Sequence, residues 1–490
     1  MLKTKKTQIM ISKRNIANSL GIACLVLIVS SCGSLEKVTK EANRTVPESY
    51  GDTTGTVDST NTAEVHWQDY FTDPYLNALI DTALSNNQEL NITMQEIEIA
   101  RNEARARKGE YLPYVDFGAG AGVDKPARYT SKGANDATTD IKPGMEMPEP
   151  LPDYMFGLNA TWEVDIWHKL RNARQSALRR YAASVEGKNF MVTNLIAEIS
   201  RSYYELLALD NQLAIVNRNI EIQSDALEIV KMQKQAARVT ELAVKKFEAQ
   251  VFHTKSLQYK IQQKIVETEN RINFLVGRFP QKVDRNSDAF ASLIPDDIHA
   301  GVPSQLLENR PDVRQAELEL AAAKLDVKVA KAKFYPSVGI SAGVGFQAFN
   351  PQYLIKTPQS LLFSLAGDMA APLINRAAIK ATYYSANARQ LQAIYNYEQT
   401  LLNAYIEVAN QMAKISNMER SYELKSKEVE ALTESINISN GLFRSARADY
   451  MEVLMTQRDA LESKFELIET KQQQMNAFVN MYKALGGGWK

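Results

Sequence analysis

Histidines are the residues of this 490-residue chain that could most readily hold a metal ion or move a proton at neutral pH. The four histidines, His66, His168, His253 and His299, have none of the short spacings with which helices and turns present paired metal ligands. Two cysteines are too few for a cysteine-built metal site or a disulfide framework. The sequence therefore predicts no metal centre.

Glycine-rich segments could instead cradle phosphate groups. The Gly-x-Gly runs at residues 118–122 and 343–345 lie within alternating, strand-like sequence and do not open a helix, so they do not match a dinucleotide-binding turn. The three glycines at 486–488 follow a helical pattern rather than a strand, which excludes a phosphate loop. We therefore predict that the protein is not an enzyme and needs no cofactor other than a covalent lipid, discussed below.

The overall composition excludes further classes of protein. Lysine and arginine number 57, and aspartate and glutamate also number 57, so no net charge attracts the chain to nucleic acid. At 45% apolar residues the chain can bury a core, which excludes wholesale disorder. Beyond the N-terminal region no run of eighteen apolar residues occurs, so we expect no spanning helix in the mature protein.

The N-terminus has the order of a bacterial secretory signal. A basic start precedes an apolar run at residues 16–29 that is short for a membrane span. The following Ser30-Ser31-Cys32-Gly33 resembles a lipoprotein cleavage box, which implies a signal peptide at 1–31 and a lipid on Cys32. Residues 32–66 are then an extended, lipidated tether that anchors the chain to a membrane without spanning it. The alternative is an ordinary signal peptide with an incidental cysteine.

Two copies of one large unit follow the tether. Residues 109–122 and 332–345 share a Pro and a Gly-x-Gly pattern, and both follow an alanine-rich helical stretch. Further similar segments lie a little over two hundred residues apart. We therefore predict two structural repeats, at 67–280 and 281–490.

Each repeat contains a predicted β-hairpin, at residues 112–164 and 335–371. Apolar side chains alternate with small or polar ones, as in Val115, Phe117 and Val123 against Asp116 and the glycines. Four strands of about ten residues are long enough to cross a bilayer when tilted, with one lipid-facing and one lumen-facing side. The alternative is an ordinary two-layer sheet with one solvated face.

A pair of long helices follows each hairpin, at 168–277 and 373–485. The outgoing helix of about 65 residues would be about 100 Å long, and the returning helix plus the short helix before the hairpin nearly match that length. The two shorter helices can therefore stack end to end beside the long one. Such helices are typical of coiled-coil or tubular packing.

Four strands cannot close a barrel, and open sheet edges are not tolerated in lipid. Three copies would supply twelve strands, enough to leave a pore. If the strands cross a membrane, the predicted fold is therefore mixed and mainly α: four transmembrane strands per chain in a twelve-stranded trimeric β-barrel, continued by a long α-helical barrel. The chain around residues 277–298 and the C-terminal tail would form an equatorial region.

From about residue 67 to the C-terminus, the sequence resembles the outer-membrane factor family of tripartite efflux pumps, the TolC-like outer-membrane lipoproteins, in its NodT/OprM-like branch. The most specific segments are Asn-Arg-Pro-Asp-Val at 309–313 and Ala-Leu-Gly-Gly-Gly-Trp at 484–489. Weaker similarities lie at 83–90, 161–166, 334–337 and 452–458. The resemblance implies a homotrimeric exit duct in the outer membrane of a Gram-negative bacterium, with most of its mass in the periplasm. It implies, as partners, outer-membrane lipid, a periplasmic adaptor (membrane fusion) protein and an inner-membrane RND-type transporter driven by a proton gradient.

The family closes its periplasmic end with an iris of inward-facing residues. The resemblance transfers these positions to Met451, Met455 and Arg458, which lie at i, i+4 and i+7 on one helical face. An acidic position of the family in the first repeat falls on Ala243, and Met455 replaces another, so an acidic ring at these two positions is not expected.

Three outcomes remain open at this constriction. Glu452 and Asp459 could supply the charge, or three copies of the methionines could form a hydrophobic constriction. Alternatively Met451 and Met455 simply pack between helices. The adaptor is expected to contact the helix tips, at Arg238, Val239, Thr240, Arg447, Ala448 and Asp449.

Two other functions fit the same pattern. A type I protein secretion duct would have the same fold and differ in its transporter. A lipid-anchored periplasmic coiled-coil scaffold would have no membrane strands, so proteases outside intact cells would not cleave the loop at 124–153. The exported substrate is not encoded in any motif of this chain.

Overall fold

The computed structural model describes residues 40–50, 61–293, 299–445 and 447–489. The predicted signal peptide, Cys32 and part of the tether lie outside the described residues. The helices of the first repeat are α1 (Trp67–Tyr70), α2 (Pro74–Asn86), α3 (Gln88–Glu110), α4 (Ser131–Asp136), α5 (Lys169–Gln235) and α6 (Glu241–Leu275). The second repeat contains α7 (Leu306–Asn309), α8 (Pro311–Ala332), α9 (Ala377–Arg444) and α10 (Tyr450–Leu485). Within these described residues, no helix has both the length and the apolarity that crossing a membrane requires.

Four long strands form one antiparallel sheet. They are β1 (Tyr114–Asp124), β4 (Leu151–Val164), β5 (Ser337–Ala348) and β6 (Leu361–Ala370), in the order β1-β4-β5-β6. The central pair, β4 and β5, joins the hairpin of the first repeat to that of the second. The four predicted strands are therefore present, and the two repeats share one sheet.

The register of the sheet places apolar side chains together on one face. Phe117 pairs with Leu158, Leu158 with Val344, and Val344 with Phe363, and all four are exposed in the single chain. The neighbouring row on the other face contains Asp116, Asn159, Gly343 and Ser364. Directly paired residues project to the same side of a sheet, so the register preserves the predicted division into an apolar and a polar face.

The loop after β1 is more ordered than its Pro- and Gly-rich composition indicates. It contains α4 and a small hairpin of β2 (Asp140–Lys142) and β3 (Met145–Glu146). The Thr130 hydroxyl accepts a hydrogen bond from Gly133 N at 3.2 Å and caps α4, while Gly144, with φ +74°, allows the tight turn of the hairpin. Lys142 Nζ donates to Tyr353 Oη at 2.9 Å, so this loop contacts the loop between β5 and β6.

The helices form a wall in the same order as the strands. The long helices α5 and α9 have 67 and 68 residues. The principal contacts of α5 are with α3 and α6 and also with α8 and α10, and α9 in turn packs against α8 and α10. The helical order is therefore α3/α6, α5, α8/α10, α9, and each helix adjoining the sheet leads directly into or out of the strand at the corresponding place. The predicted stacking of two short helices beside one long helix is confirmed.

The junction within each stacked pair depends on a glycine in the left-handed region. Gly277, at φ +72°, follows α6, and a Cβ at this position would lie 2.5 Å from the Asn86 carbonyl oxygen, just before α3. Asn87 Nδ2 donates to the Leu275 carbonyl at 2.8 Å, and Asn87 Oδ1 accepts from Leu90 N. One side chain therefore joins the end of α6 to the start of α3.

The second repeat has the same junction. Gly486, at φ +88°, follows α10, and a Cβ there would lie 2.5 Å from the Asn309 carbonyl oxygen. The buried Arg310 donates from Nη1 to the Ala484 carbonyl at 3.0 Å, and Trp489 Nε1 donates to the Asn309 carbonyl at 3.1 Å. The segments 309–313 and 484–489 carry the strongest resemblance. They contact each other where α10 ends and α8 begins, a level of the wall that we call the waist.

The described part of the tether is attached to the wall. Lys40 pairs with Glu398 and Arg44 with Glu317, each at 2.6 Å, and the Tyr50 ring stacks on Tyr405 at 5.4 Å. Residues 40–50 therefore lie against α8 and α9.

Replacing Gly486 by alanine should lower the thermal unfolding midpoint of the detergent-solubilised protein. The left-handed backbone costs a non-glycine residue about 1–2 kcal/mol, and the added Cβ would meet backbone that cannot rotate away. Gly109→Ala is the matched control, because Gly109 lies in α3 with no atom within 4 Å of an added Cβ. Equal midpoints for the two variants, measured by circular dichroism, would contradict this account of the junction.

Candidate functional site

The tip between α5 and α6 is a short, hydrogen-bonded turn. Arg238 N donates to the Gln233 carbonyl at 2.9 Å, and Ala237 has a positive φ of 54°. Lys234 forms an ion pair with Glu241 across the turn, and the hydrogen bond from Lys234 lowers the pKa of the Glu241 carboxyl below its ordinary value. The turn therefore joins the last turn of α5 to the first turn of α6.

The tip between α9 and α10 repeats this turn. Arg447 N donates to the Leu442 carbonyl at 2.8 Å, five residues earlier, as Arg238 does in the first tip. Thr240 and Asp449 precede α6 and α10 with extended backbone, and within the described chain neither side chain caps its helix. Their hydroxyl and carboxylate groups are therefore available to a neighbouring molecule.

A groove of about 320 Å³ separates the two tips. Five of the six predicted tip residues line it, and Arg447 does not. Four residues that the sequence did not indicate complete the lining. The full set is Gln233, Arg238, Val239, Thr240, Phe443, Arg444, Ala448, Asp449 and Tyr450. The structure thus brings residues from the two repeats into one surface, with Arg238, Arg444 and Asp449 supplying its charges.

An apolar cluster beneath the groove holds the two tips together. Val230 of α5, Phe247 of α6 and Val453 of α10 are buried in it, and Phe443 of α9 packs against it. Ala243 belongs to the same cluster and has no exposed surface. A side chain at position 243 therefore packs between helices in this structure, which agrees with the absence of an acidic residue there.

Met451, Met455 and Arg458 lie on the face of α10 opposite the buried Val453 and Ala460. Met455 is 49% exposed. The predicted constriction residues are therefore directed away from the principal helix packing of the single chain.

Charged groups lie beside these methionines. Lys246 of α6 has its Nζ 3.5 Å from Met451 Sδ, and Arg458 forms an ion pair with Asp459 at 3.0 Å. Glu452 is exposed nearby. Sequence reasoning missed Lys246, since it lies more than two hundred residues from Met451 along the chain.

A buried amide lies below the tips. Gln457 of α10 is 1% exposed, and neither Nε2 nor Oε1 has a hydrogen-bond partner in the described structure. It lines a cavity of about 190 Å³ together with Phe247, Val453 and Asn440. The nearby Gln223 accepts from Thr254 Oγ1 at 2.7 Å, whereas its Nε2 is also unpaired in the described chain. Polar side chains therefore interrupt the apolar packing behind the tips.

The described residues contain no group of three or more His, Cys, Asp or Glu side chains arranged to hold a metal ion. His66 accepts a hydrogen bond from Gln68 N at the start of α1, which is a local capping contact.

A family model described as "Outer membrane efflux protein" matches residues 79–278 and 302–487. The two matched segments lie within the two predicted repeats, 67–280 and 281–490, and residues 279–301 separate them.

Two curated proteins and one solved structure are similar to the chain over most of their lengths. The pyoverdine export outer membrane protein OpmQ of Pseudomonas aeruginosa is 27% identical over 424 residues, which is 86% of this chain and 87% of that protein. The probable outer membrane lipoprotein SilC of Salmonella typhimurium is 24% identical, covering 95% of this chain and 97% of SilC. The open state of the MtrE outer membrane channel of Neisseria gonorrhoeae aligns with a TM-score of 0.80 and 22% identity, covering 94% of this chain and 99% of MtrE. The structural likeness shows a shared fold.

Replacing Gln457 by leucine should stabilise the packed tips. A buried, unpaired polar group costs about 1–3 kcal/mol, and leucine fills a similar volume without that cost. Hydrogen exchange of residues 441–460 should slow in Gln457→Leu. The control is Gln263→Leu, because Gln263 is exposed and bonded to Glu267. Faster exchange in Gln457→Leu than in the wild type would show that the amide is paired in solution.

Proposed function

We propose, because the chain belongs to the outer membrane efflux protein family, that three copies of it form the exit duct of a tripartite efflux system. The membership confirms the family predicted from the motifs and makes the chain a component of an outer-membrane efflux channel. The duct would passively conduct small molecules, such as drugs or toxic compounds, from the periplasm to the exterior. A periplasmic adaptor would connect it to an inner-membrane RND-type transporter.

The observation that carries this proposal is that the two edge strands of the sheet, β1 and β6, each have one unpaired side. In the single chain β1 pairs only with β4, and β6 pairs only with β5. Backbone groups in lipid need partners within the protein, so each free edge requires another strand. Joining β6 of one copy to β1 of the next closes a ring, and three copies give twelve strands around a pore.

The helices support the same closure. Seven exposed apolar residues lie on one stripe of α9, about a third of a turn from its buried face: Tyr384, Tyr395, Leu402, Ile406, Leu424, Ile438 and Leu442. At the other end of the wall, Phe252, Tyr259 and Val266 of α6 are exposed at seven-residue spacing, which is typical of a coiled-coil seam. The two stripes offer each other apolar partners in adjacent copies.

Roles for the tips and the lipid follow from this assembly. The adaptor would bind the groove lined by Arg238, Thr240 and Asp449. Met451 and Met455 would narrow the periplasmic opening, with Lys246 and Asp459 adding charge at its rim. The lipid on Cys32 would anchor each copy to the outer membrane, and its attachment is testable by mass spectrometry of the mature N-terminus.

Introducing charge into the α9 stripe should prevent assembly. In Leu402→Glu/Ile406→Glu, two carboxylates would be buried without partners in an apolar interface, at a cost of several kcal/mol. Light scattering in detergent should give three chain masses for the wild type and one for the variant. The control, Asn403→Glu, adds a charge to an exposed position on another side of α9 and should remain assembled. An assembled double variant would exclude this interface.

Efflux itself can be tested in the host. Deleting the gene should increase sensitivity to several toxic compounds and raise dye accumulation, and the wild type and Asn403→Glu should restore resistance. Leu402→Glu/Ile406→Glu should not restore it. External protease should cut the loop at 124–153 on intact cells, whereas a periplasmic scaffold would be protected. Unchanged sensitivity together with a lost secreted protein would favour a protein secretion duct.

A further inference from the structure

Two depressions lie where the helices meet the sheet. The upper one is lined by Glu110 of α3 and by Thr161, Glu163, Ser341 and Asp368 of the strands, with further neighbours. The lower one has a volume of about 650 Å³ and lies between α8 and α9. Arg107, Lys333 and Arg389 line this lower depression, which we call the basic pocket.

The basic pocket lies on the inner side of the wall. The strand residues Thr161, Glu163 and Asp368 of the upper depression belong to the polar face of the sheet, opposite the apolar face. Glu110 lies on the same side, one helical turn from Arg107.

The second argument for this location is the reach of Arg107. It extends from α3 to a pocket between α8 and α9, although α5 separates these helices in the wall and contributes no residue to the lining. Arg107 can line a pocket beyond α5 only if the wall curves toward the side on which the pocket lies. The pocket therefore lies on the concave side.

The pocket has positive charge that the chain itself does not neutralise. Its one carboxylate, Asp326, is already bound by Arg180 and accepts from Ser176 Oγ at 2.6 Å. Arg107 pairs with Glu110 at 2.9 Å. The side chains of Lys333 and Arg389 have no hydrogen bond or ion pair with any residue that the structure describes.

Small side chains leave room beside these cations. Ala323, Ala330, Ala381 and Ser385 form much of the remaining lining, so the charged groups surround an open space rather than contacting bulky neighbours. A guanidinium fork and an ammonium group around such a space match the oxygens of a carboxylate or a phosphate.

We propose that the basic pocket transiently binds the carboxylate or phosphate group of small organic anions that pass through the duct. This inference rests on the proposed function and deepens it by naming a substrate class. Asp368 of the upper depression has no ion pair among the described residues and lies on the sheet side of the basic pocket. Its carboxylate would repel the bound anion and keep the binding weak enough for release. In the assembled trimer the pocket occurs three times at one level of the lumen.

Citrate is a suitable probe because it carries several carboxylates. Its binding would be measured by isothermal titration into the assembled, detergent-solubilised protein, which does not require an open gate. Lys333→Gln and Arg389→Gln should each weaken citrate binding about fivefold, the equivalent of one exposed ion pair, and the double variant more strongly. Lys331→Gln is the control, since Lys331 is exposed in the last turn of α8, two residues before Lys333, but does not line the pocket.

Several results would overturn the proposal. The first is wild-type protein that binds no citrate, and the second is an equal loss of citrate affinity in Lys331→Gln. The third is a pocket that binds phosphatidylglycerol in mixed micelles but not citrate, which would identify a lipid site. Planar-bilayer recordings distinguish a failure of the anion-site proposal from a failure of the proposed duct function. A wild-type channel that conducts but is not blocked by citrate contradicts only the anion site, whereas a protein that neither assembles nor conducts contradicts both proposals.

Discussion

Backbone hydrogen bonding at the two edges of the sheet is the constraint on which this structure depends. Lipid offers no partner for a free N–H or C=O group, and β1 and β6 each leave one edge unpaired in the single chain. The helical wall has its two lateral ends at the same two edges, because the strands and the helices connected to them follow the same order. The apolar stripes on α9 and α6 therefore lie where the sheet also lacks a partner, and one closure would satisfy all of them.

A long wall built from one chain also requires a way to match helices of different length. The chain solves this by stacking a short and a medium helix beside each long helix, and the joint must be compact. Gly277 and Gly486 provide it, since each has a left-handed backbone and a carbonyl oxygen that would lie only 2.5 Å from an added Cβ. The side chains of Asn87 and Arg310 then donate hydrogen bonds to the carbonyl groups of Leu275 and Ala484 at the ends of α6 and α10. Carbonyl groups at the C-terminal end of a helix have no partner within that helix.

The polar residues of the wall are used differently at its two levels. Near the tips, Gln457 and Gln223 interrupt the apolar packing between helices, and each has a buried amide nitrogen without a partner in the described structure, which lowers stability. Beside the sheet, charged residues of α3, α9 and the strands line two depressions, and our proposal places these depressions on the inner face of the duct.

The sequence by itself determined the elements and their pattern, because helix and strand periodicities are local properties. The alternation around Phe117 and Leu158 defined the two faces of the sheet, the proline-free helices gave the lengths, and the segments at 309–313 and 484–489 indicated the family. The local sequence predicted only a loop after β1, because this segment is rich in Pro and Gly. The structure contains a capped helix and a small hairpin there. Only the tertiary structure decided which distant residues meet: the groove shared by Arg238 and Asp449, the approach of Lys246 to Met451, and the reach of Arg107 to α8 and α9. These contacts depend on the relative rotation and stacking of helices about 100 Å long, which small packing interactions along the whole wall determine together.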